Sequence, residues 1–360
     1  MIIGERLKVA RHTAALSQRA LAGAAGVSAM AISKYERGLD IPSSAVLLRL
    51  AKALGVKTEY FVRPITVTLT TAPSYRRRAS LPRKQEKAIL GETQEWLERY
   101  LEVESIFEES PHLNLPADFP HPVFALDEVE QIALDLRQAW HLGQDPIENL
   151  MEVVEDQGIK VGLVNGHKDF DALTLWVNDE VPVIVVKRDV PGDRQRFNLA
   201  HELGHLALAS TESVDLEKAA YRFAGAFLVP KTVARFELGY QRRALNPFEL
   251  HLLKHKYGMS MQAWIYRAKD LDILSESTAT QLFRRFRRQG WYRKEPGDPI
   301  PQEEPGRMKR LIIRALAEDL ISESRAEELL GMPLEQFWRE EAKEHGDLPI
   351  AMRGGREHPD

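Results

Sequence analysis

Residues Arg194–Ala209, RQRFNLAHELGHLALA, contain the pattern that most directly predicts a fold and a chemistry for this chain. His201 and His205 are four positions apart, and side chains at this spacing lie on the same face of a helix. Two imidazoles so placed can bind one tetrahedral Zn²⁺. Glu202 follows the first histidine, where a carboxylate can take a proton from water and return it to a leaving amine. The pattern predicts a zinc-binding helix of the hydrolytic kind, with its N-terminus capped by Asp193.

The residues around this pattern allow a second interpretation. Phe197, Leu199, Leu203 and Leu206 give the helix an apolar face that can pack as core. The two histidines could then be buried structural residues, but each imidazole would need a hydrogen-bond partner. A third metal ligand elsewhere in the chain therefore decides between the two interpretations.

The next helical segment supplies the best candidate for that ligand. The chain has no cysteine, so any metal must be held by imidazole and carboxylate groups. In DLEKAAYRFAGAFLVP (residues 215–230) an apolar stripe faces the core, and Glu217 stands in the first turn. Glu212 and Asp215 are nearby alternatives. We predict His201, His205 and Glu217 as zinc ligands and Glu202 as the catalytic residue.

Both segments resemble the ImmA/IrrE family of metallopeptidases. The likeness rests on DRQRFNLAHELGHLALA and EKAAYRFAGAFLVP and extends from about Ile147 to Arg288, including KYGMSMQAWIYRAKDL. It implies that Glu217 is the third zinc ligand and that the substrate is a repressor-type protein. The chain departs from the family pattern at Asn198, where threonine is usual, and at Ala219, where an acid is frequent. Neither position is a predicted ligand.

The N-terminal 63 residues differ from the rest of the chain in charge. They contain ten lysines and arginines against four acids, a balance of +6, although the whole chain carries −4. The remainder must therefore be acidic, and the two parts are expected to have different partners.

This basic segment has the pattern of a helix-turn-helix. Ser17 and Ser28 are good N-caps for two short helices, and Gly26 lies at the turn between them. We expect the first of these helices to bury Ala20, Leu21 and Ala24. The second helix should present its N-terminal residues to the major groove of DNA. The predicted DNA contacts are Gln18, Ser28, Ala29, Met30, Ser33, Lys34 and Arg37, with Arg11 as a further phosphate contact.

The stretch SQRALAGAAGVSAMAISKYERGLDIPSSAVLLRLAKALGV resembles the Cro/C1-type (XRE) family of repressors along its whole length. The resemblance implies binding to a double-stranded DNA operator. The alternative interpretation is a basic helical bundle without this function. Such DNA readers commonly bind as homodimers, so a homodimer is possible here, but no dimer seam is visible in the sequence.

The predicted fold is mainly α-helical with a small antiparallel sheet (α+β). Three stretches have β character: Ile159–Val164, Leu173–Val177 and Val181–Lys187, the last two joined as a hairpin through Asn178-Asp179. One edge of this sheet could bind an extended substrate as an added strand, since sheet edges accept peptides in this way. The other interpretation is that the sheet only covers the helices.

Proline-rich and charge-rich stretches suggest the domain boundaries. A stretch rich in arginine, lysine, serine and proline runs from Thr71 to about Lys87 and favours a linker there. The predicted segments are a helix-turn-helix domain, a basic linker with a connecting helix, a zincin-like metallopeptidase domain, and a helical C-terminal region with a frayed end. Their ranges are 1–65, 66–122, 123–290 and 291–360.

No stretch of eighteen apolar residues and no export signal is found, so the sequence favours a cytoplasmic protein with no membrane partner. The function favoured by these patterns is a DNA-binding regulator with peptidase activity, and the resemblance to the ImmA/IrrE family implies that it cleaves a specific repressor-type protein. One alternative is a repressor or antitoxin whose metal fold is a non-hydrolytic sensor or interaction module. A further alternative is a general peptidase with an accessory nucleic-acid domain. Weak candidates for an oxyanion stabiliser are Tyr221, Arg222, His167 and Tyr240.

Overall fold

The computed structural model describes residues 2–71, 81–107, 111–166 and 168–345. Much of the predicted linker and the whole of the predicted frayed end, 354–360, lie outside the described residues. By their internal contacts the residues fall into two compact units. The first comprises Met1–Glu98 and Pro111–Pro305, and the second comprises Arg99–Ser110 and Gly306–Asp360.

Helices dominate the described residues, as the sequence predicts. In chain order they are α1 (Ile2–Thr13), α2 (Gln18–Ala25), α3 (Ala29–Glu36), α4 (Ser44–Leu54), α5 (Arg83–Glu104), α6 (Val129–Ala139), α7 (Leu150–Asp156), α8 (Gly192–Ala207), α9 (Leu216–Leu228), α10 (Lys231–Leu238), α11 (Pro247–Tyr257), α12 (Met261–Asp270), α13 (Glu276–Arg288), α14 (Arg307–Ala317), α15 (Glu323–Leu330) and α16 (Leu334–His345). Short 3₁₀ helices cover Thr58–Val62 and Leu126–Glu128.

A four-stranded sheet lies beside these helices in the first unit. Its strands are β1 (Leu69–Thr71), β3 (Lys160–Val164), β4 (Ala172–Val177) and β5 (Val181–Lys187), in the order β1-β4-β5-β3. The expectation of an antiparallel sheet is correct for the hairpin but wrong for β3, which pairs with β5 in parallel. The sheet is mixed because β3 does not pair with β4, the next strand in the chain. Instead β5 lies between them and pairs with β4 on one side and with β3 on the other. The strands β2 (His121–Pro122) and β6 (Leu208–Ala209) form a separate short parallel pair.

Local chemistry explains the hairpin between β4 and β5. Asn178 and Asp179 both have positive φ angles (52° and 60°), the conformation that Asn and Asp tolerate best among non-glycine residues. The N–H of Glu180 donates to the carbonyl of Val177 across this turn at 3.0 Å. The predicted position of the turn is therefore confirmed.

The helix-turn-helix segment forms a small core of its own. Ser17 and Ser28 accept hydrogen bonds from the backbone N–H groups of Ala20 and Ala31, so both predicted N-caps are confirmed. Gly26 takes a left-handed conformation (φ 65°) at the turn.

The buried face of α2 differs from the predicted one by one position. Leu21, Ala22 and Ala25 are buried, whereas Ala20 and Ala24 are exposed. The prediction was wrong because α2 also contains four small alanines, Ala20, Ala22, Ala24 and Ala25, so the spacing alone fits two adjacent faces. The side chain of Leu21 sets the inward direction of the helix.

Helix α5, over its part up to Glu98, packs against both the helix-turn-helix bundle and the sheet. Tyr60 donates to Glu95 at 2.9 Å, and Arg6 donates to Glu98. On its other side Trp96 lies against Gly162 of β3, where an added Cβ would lie 2.8 Å from the indole ring. This helix therefore connects the bundle to the sheet within the first unit.

The second unit has its own small apolar core, formed by side chains of α14, α15 and α16. Leu311, Ile312, Ala326 and Leu329 are buried. Ser322 caps α15 by accepting from the N–H of Arg325, and Gly331 ends it in a left-handed conformation. Among the described helices of both units, none combines the length and the apolar character needed to cross a membrane.

Candidate functional site

Helix α8, which carries His201, Glu202 and His205, begins shortly after the hairpin. Pro191 occupies the N-cap position of α8, and Asp193 lies buried in the first turn. The prediction that Asp193 caps the helix was wrong because its carboxylate is engaged elsewhere. It accepts from the buried ammonium of Lys254 on α11 at 3.1 Å, and Lys254 also donates to Glu295 at 3.0 Å.

This cluster fixes the first turn of α8 against α11 and α12. Burial would lower the pKa of Lys254, but the charges of Asp193 and Glu295 outweigh it and raise that pKa above its usual value. Glu295 also accepts from the backbone N–H groups of Met261 and Gln262. The helix therefore starts from a rigid base.

Three of the sequence-predicted residues converge at one point. The Nε2 atoms of His201 and His205 are 3.3 Å apart. A carboxylate oxygen of Glu217 lies 3.6 Å from the first nitrogen, and its other oxygen lies 3.4 Å from the second. Among the described residues, these form the one group of three or more His, Asp or Glu side chains with possible ligand atoms all within 4.8 Å of one another.

The spacing of these atoms fits a tetrahedral zinc ion. Ligand atoms about 2.0–2.1 Å from zinc at tetrahedral angles are about 3.4 Å apart, close to the three separations found here. The side chains of His201 and His205 are buried, at 6% and 1% exposure. Glu217 is 35% exposed, so the convergence point is open on the side of α9. Three protein ligands and an open side are typical of a catalytic zinc site.

The position of Glu217 follows from how α9 begins and how it packs. Asp215 is the N-cap and accepts from the N–H groups of Glu217 and Lys218, so its carboxylate serves the helix terminus. Glu212 is exposed. Helices α8 and α9 approach closely at Gly204, where an added Cβ would lie 3.1 Å from Phe223 and 3.2 Å from the Cα of Ala220. Glycine at this position lets the first turn of α9 reach the two histidines.

Glu202 is held by a residue that sequence analysis did not identify. Its side chain is buried beside His201, and the hydroxyl of Thr174 on β4 donates to its Oε2 at 2.8 Å. A threonine within a β-strand gives no sequence signal for this role. Only the alternation of β4 places Thr174 on the face toward α8.

A buried cluster of ion pairs connects α9 to α6 and α12. Arg267 on α12 donates both guanidinium ends to Glu130 on α6 at 2.6 Å, and its Nε donates to the carbonyl of Val229. Arg222 on α9 also donates to Glu130, at 3.1 Å. Burial would raise the pKa of Glu130, but the hydrogen bonds and charges of Arg267, and then of Arg222, outweigh it and hold that pKa below its usual value.

The four oxyanion candidates are placed differently. The Tyr221 ring lies against the His201 imidazole, with centroids 4.2 Å apart. Arg222 is engaged with Glu130. Tyr240 is exposed, with the Arg235 guanidinium 5.4 Å from its ring centroid. His167 lies outside the described residues. Tyr221 is thus the candidate in ring contact with a predicted ligand.

In the N-terminal bundle, the residues predicted to contact DNA fall into two groups. Ser28, Ala29, Met30, Lys34 and Arg37 are exposed, and Ser33 is half-buried on the same helix. The side chain of Met30 is 69% exposed, which is unusual for a methionine in a small bundle. This face of α3 is free to enter a groove of DNA.

Arg11 and Gln18 are instead engaged within the bundle. Arg11 is buried, forms an ion pair with Glu36, and donates to the carbonyl of Leu16. The expectation that Arg11 contacts phosphate was therefore wrong, because Glu36 takes its guanidinium. Gln18 donates its amide N–H to the same Glu36 at 2.7 Å. Glu36, which sequence analysis left out, thus fixes the position of α3 against α1 and α2.

Comparisons with known proteins match the two segments that carry these residues. Residues 154–269 match the M78 peptidase family model, described as the IrrE N-terminal-like domain, and residues 2–59 match the model of a helix-turn-helix domain. Both resemblances inferred from the sequence are thereby confirmed.

One curated relative and one solved structure complete the comparison. An uncharacterized transcriptional regulator in the ATPase CF(0) region of Rhodospirillum rubrum is 42% identical over 59 residues, which are 16% of this chain and 55% of that protein. The chain thus spans about half the length of this curated relative. The crystal structure of ComR from S.thermophilus in complex with DNA and its signalling peptide ComS aligns over 91% of this chain and 97% of that one, with 13% identity. Its TM-score is 0.20, too low to support any argument.

Proposed function

We propose that the protein is a DNA-binding transcriptional regulator that cleaves a specific repressor-type protein with a zinc-dependent endopeptidase site. The observation that carries this proposal is the convergence of His201 Nε2, His205 Nε2 and Glu217 at separations of 3.3–3.6 Å, with Glu202 beside them. The match of residues 154–269 to a peptidase family supports it. The helix-turn-helix match supports the DNA-binding half.

His201, His205 and Glu217 are the residues that would hold the metal. When bound, zinc is a Lewis acid that polarises a carbonyl group and makes water more acidic. Two neutral imidazoles and one carboxylate leave a net positive charge at such a site, which favours attack on a peptide carbonyl. The open side at Glu217 gives a peptide access to it.

Glu202 has the role of general base and then general acid. Its carboxylate accepts the proton that water loses when it attacks the peptide bond, and returns it to the amine that leaves. Thr174 donates to Oε2 of this carboxylate at 2.8 Å and so fixes its orientation. Thr174 is a positioning residue in this scheme.

Linking the two activities in one chain has a physical advantage. A peptidase held at an operator meets a repressor bound nearby at an effective concentration far above that in bulk solution. The DNA-binding domain would thereby contribute to substrate choice without contacting the substrate.

The test measures metal content and cleavage together. The purified chain should contain about one zinc per molecule, and it should cleave the repressor encoded beside it when both are bound to their operator DNA. A chain that binds zinc but cleaves no candidate repressor would leave the non-hydrolytic sensor as the better proposal. Digestion of unrelated unfolded proteins would favour a general peptidase.

Removal of the metal should stop cleavage and lower stability. Zinc at a hundred times its dissociation constant stabilises the native state by about 2.7 kcal/mol, which corresponds to about 4 °C in Tm for a unit as large as the first. We expect dialysis against a chelator to lower Tm by this amount and added zinc to restore both Tm and cleavage. A Tm that is unchanged by chelation would count against binding at His201, His205 and Glu217.

A prediction for DNA binding follows from the exposed face of α3. Lys34→Ala should weaken specific binding about tenfold or more, because loss of a base contact costs about 1–3 kcal/mol. Lys52→Ala is the matched control, since Lys52 is exposed on α4, outside α3. Fluorescence anisotropy with operator and scrambled DNA at fixed salt separates loss of a base contact from loss of a positive charge. Equal losses for both variants would show that Lys34 acts only through its charge.

A further inference from the structure

A short strand from outside the peptidase match lies at the edge of the sheet. β1 (Leu69–Thr71) belongs to the segment that follows the helix-turn-helix bundle, whereas the peptidase match begins at residue 154. It pairs antiparallel with β4, with Leu69 opposite Val177, Thr70 opposite Trp176 and Thr71 opposite Leu175. It therefore covers the edge of β4 that the hairpin would otherwise expose.

The residues just before β1 are also fixed along this edge. The N–H of Asn178 donates to the carbonyl of Thr68 at 3.0 Å, and the side chain of Asn178 accepts from the N–H of Thr68 at 3.1 Å. Val67 is only 2% exposed. Residues 68–71 thus lie along β4 and its turn, and Val67, just before them, is buried.

The edge covered by β1 leads to the proposed catalytic residue. Antiparallel partners alternate between hydrogen-bonded and non-hydrogen-bonded pairs. Because the backbone of Asn178 is hydrogen-bonded to Thr68, the next hydrogen-bonded pair is Thr70 with Trp176. The next residue of β4 whose backbone N–H and C=O face the same edge is Thr174. Thr174 is the residue whose hydroxyl holds Glu202.

β1 runs from Val177 toward Thr174, and its last described residue, Thr71, lies opposite Leu175, one residue before Thr174. A longer extended peptide in the same register would bring its next peptide group beside Thr174. That group would then be close to Glu202 and the three converging ligands. The edge of β4 therefore guides an extended chain toward the site.

We infer that residues 67–71 occupy the position in which the backbone of a protein substrate binds, so that a substrate must displace this segment from β4 before it is cleaved. Extended peptides commonly bind by adding a strand to a sheet edge, with backbone hydrogen bonds giving affinity. The effect on cleavage rests on the proposed peptidase function, but the pairing of β1 with the edge of β4 does not. It makes the segment beside the DNA-binding domain an internal competitor of the substrate.

The pairing of β1 with β4 also indicates what kind of substrate segment can bind at this edge. The substrate segment must be extended, and it runs with its N-terminal end at Val177 and its C-terminal direction toward Thr174. Thr70 lies opposite Trp176 on the face of the sheet that carries Thr174, because alternate residues of a strand share a face. A small or β-branched side chain is therefore preferred at the substrate position that replaces Thr70.

A reversible covalent lock tests the inference. Leu69 and Val177 form a non-hydrogen-bonded pair, in which Cβ atoms lie about 4.5–5.5 Å apart and need only a small adjustment to accommodate a disulfide. The natural chain contains no cysteine, so Leu69→Cys with Val177→Cys introduces the two thiols alone. Failure of this pair to form a disulfide under oxidation would contradict the register itself.

Two readouts are compared in the oxidised and reduced forms of this full-length variant. The first is cleavage of the repressor substrate. The second is anisotropy of a fluorescent peptide with the sequence ITVTLTT, residues 65–71, measured with Glu202→Gln added so that no peptide is cleaved. Oxidation should weaken peptide binding at least about fiftyfold, because the lock removes the state in which the edge is free. Reduction should restore it.

The opposite change should release the edge. Thr70→Pro removes the N–H that bonds to Trp176, whereas Leu69→Pro is the matched control because the N–H of Leu69 points away from β4. We expect Thr70→Pro to bind the peptide about fivefold more tightly than the natural chain, since β1 loses one hydrogen bond of the ladder. Leu69→Pro should change binding much less.

The outcomes separate this inference from the proposed function. If oxidation blocks peptide binding but no variant cleaves any repressor, β1 competes for the edge and the peptidase proposal fails. If the natural chain cleaves its substrate and the oxidised variant cleaves it and binds the peptide equally well, the peptidase proposal stands and the inference is wrong.

Discussion

Replacing Glu202 by glutamine should lower kcat for repressor cleavage by about a thousandfold, within the range of about 10²–10⁴ that general acid–base catalysis contributes. The amide retains the shape of the side chain and its bond to Thr174, but it cannot accept a proton from water. The loss should appear in kcat with little change in KM, because Glu202 acts in the reaction step and not in substrate binding.

Two measurements show whether this loss has the expected cause. Zinc content should be unchanged, since Glu202 is outside the group of three converging ligands. Operator affinity should also be unchanged, because the bundle that carries α3 is a separate core. Glu212→Gln is the matched control: it removes an exposed acid from the same part of the chain and should leave kcat within about twofold, in line with the small effects of surface substitutions.

A Glu202→Gln protein that cleaves as fast as the natural chain would remove the proposed mechanism. Loss of zinc together with loss of cleavage would point to a different defect, in which the substitution disturbs the metal site. Only loss of turnover with retained zinc and retained DNA binding agrees with a general base.

Local spacing explains why the convergence of His201, His205 and Glu217 and the two helix caps could be predicted from the sequence. His201 and His205 belong to one helix, and Ser17 and Ser28 cap helices of their own, so a few neighbouring residues determine each feature. Glu217 is only twelve residues beyond His205. Its helix has an apolar stripe and an N-cap, and both are visible in the sequence.

The features that were missed depend on residues distant in the chain. Thr174 reaches Glu202 only because β4 pairs with β5, and β1 reaches β4 across more than a hundred residues. Arg11 appeared to be a DNA contact because a basic charge near the N-terminus is typical of such domains. Its actual partner, Glu36, is 25 positions away. Sequence patterns of period 2 or 3.6 contain no information about such pairs.

Glutamine in place of Glu130 should cause a large loss of stability. Glu130 accepts two hydrogen bonds from Arg267, whose side chain is 1% exposed, and one from Arg222. Removing one partner of a buried ion pair costs about 3–5 kcal/mol, because the remaining charge is left without compensation. Unfolding in denaturant, followed by fluorescence, should show this loss as a lower midpoint with an unchanged m-value.

Asp127→Asn provides the matched control for the same cluster. Asp127 pairs with Arg222 at 2.9 Å, but its side chain is 90% exposed. Exposed ion pairs contribute about 0–1 kcal/mol, so this variant should be nearly as stable as the natural chain. Equal losses in the two variants would show that burial of the Glu130–Arg267 pair is not what matters.

The pH dependence of the same variants tests the electrostatic cause. The pKa of Glu130 in the folded protein lies below its ordinary value of 4.5, so the unfolded chain binds a proton at Glu130 more readily than the folded one. The stabilisation is therefore fully present above pH 4.5 and is lost as the pH falls through the lower folded pKa. The difference in unfolding free energy between the natural chain and Glu130→Gln should stay constant from pH 7 to about pH 5 and shrink below it. A difference that persists unchanged into acid would mean that the carboxylate charge does not stabilise α9, and that shape alone accounts for the loss.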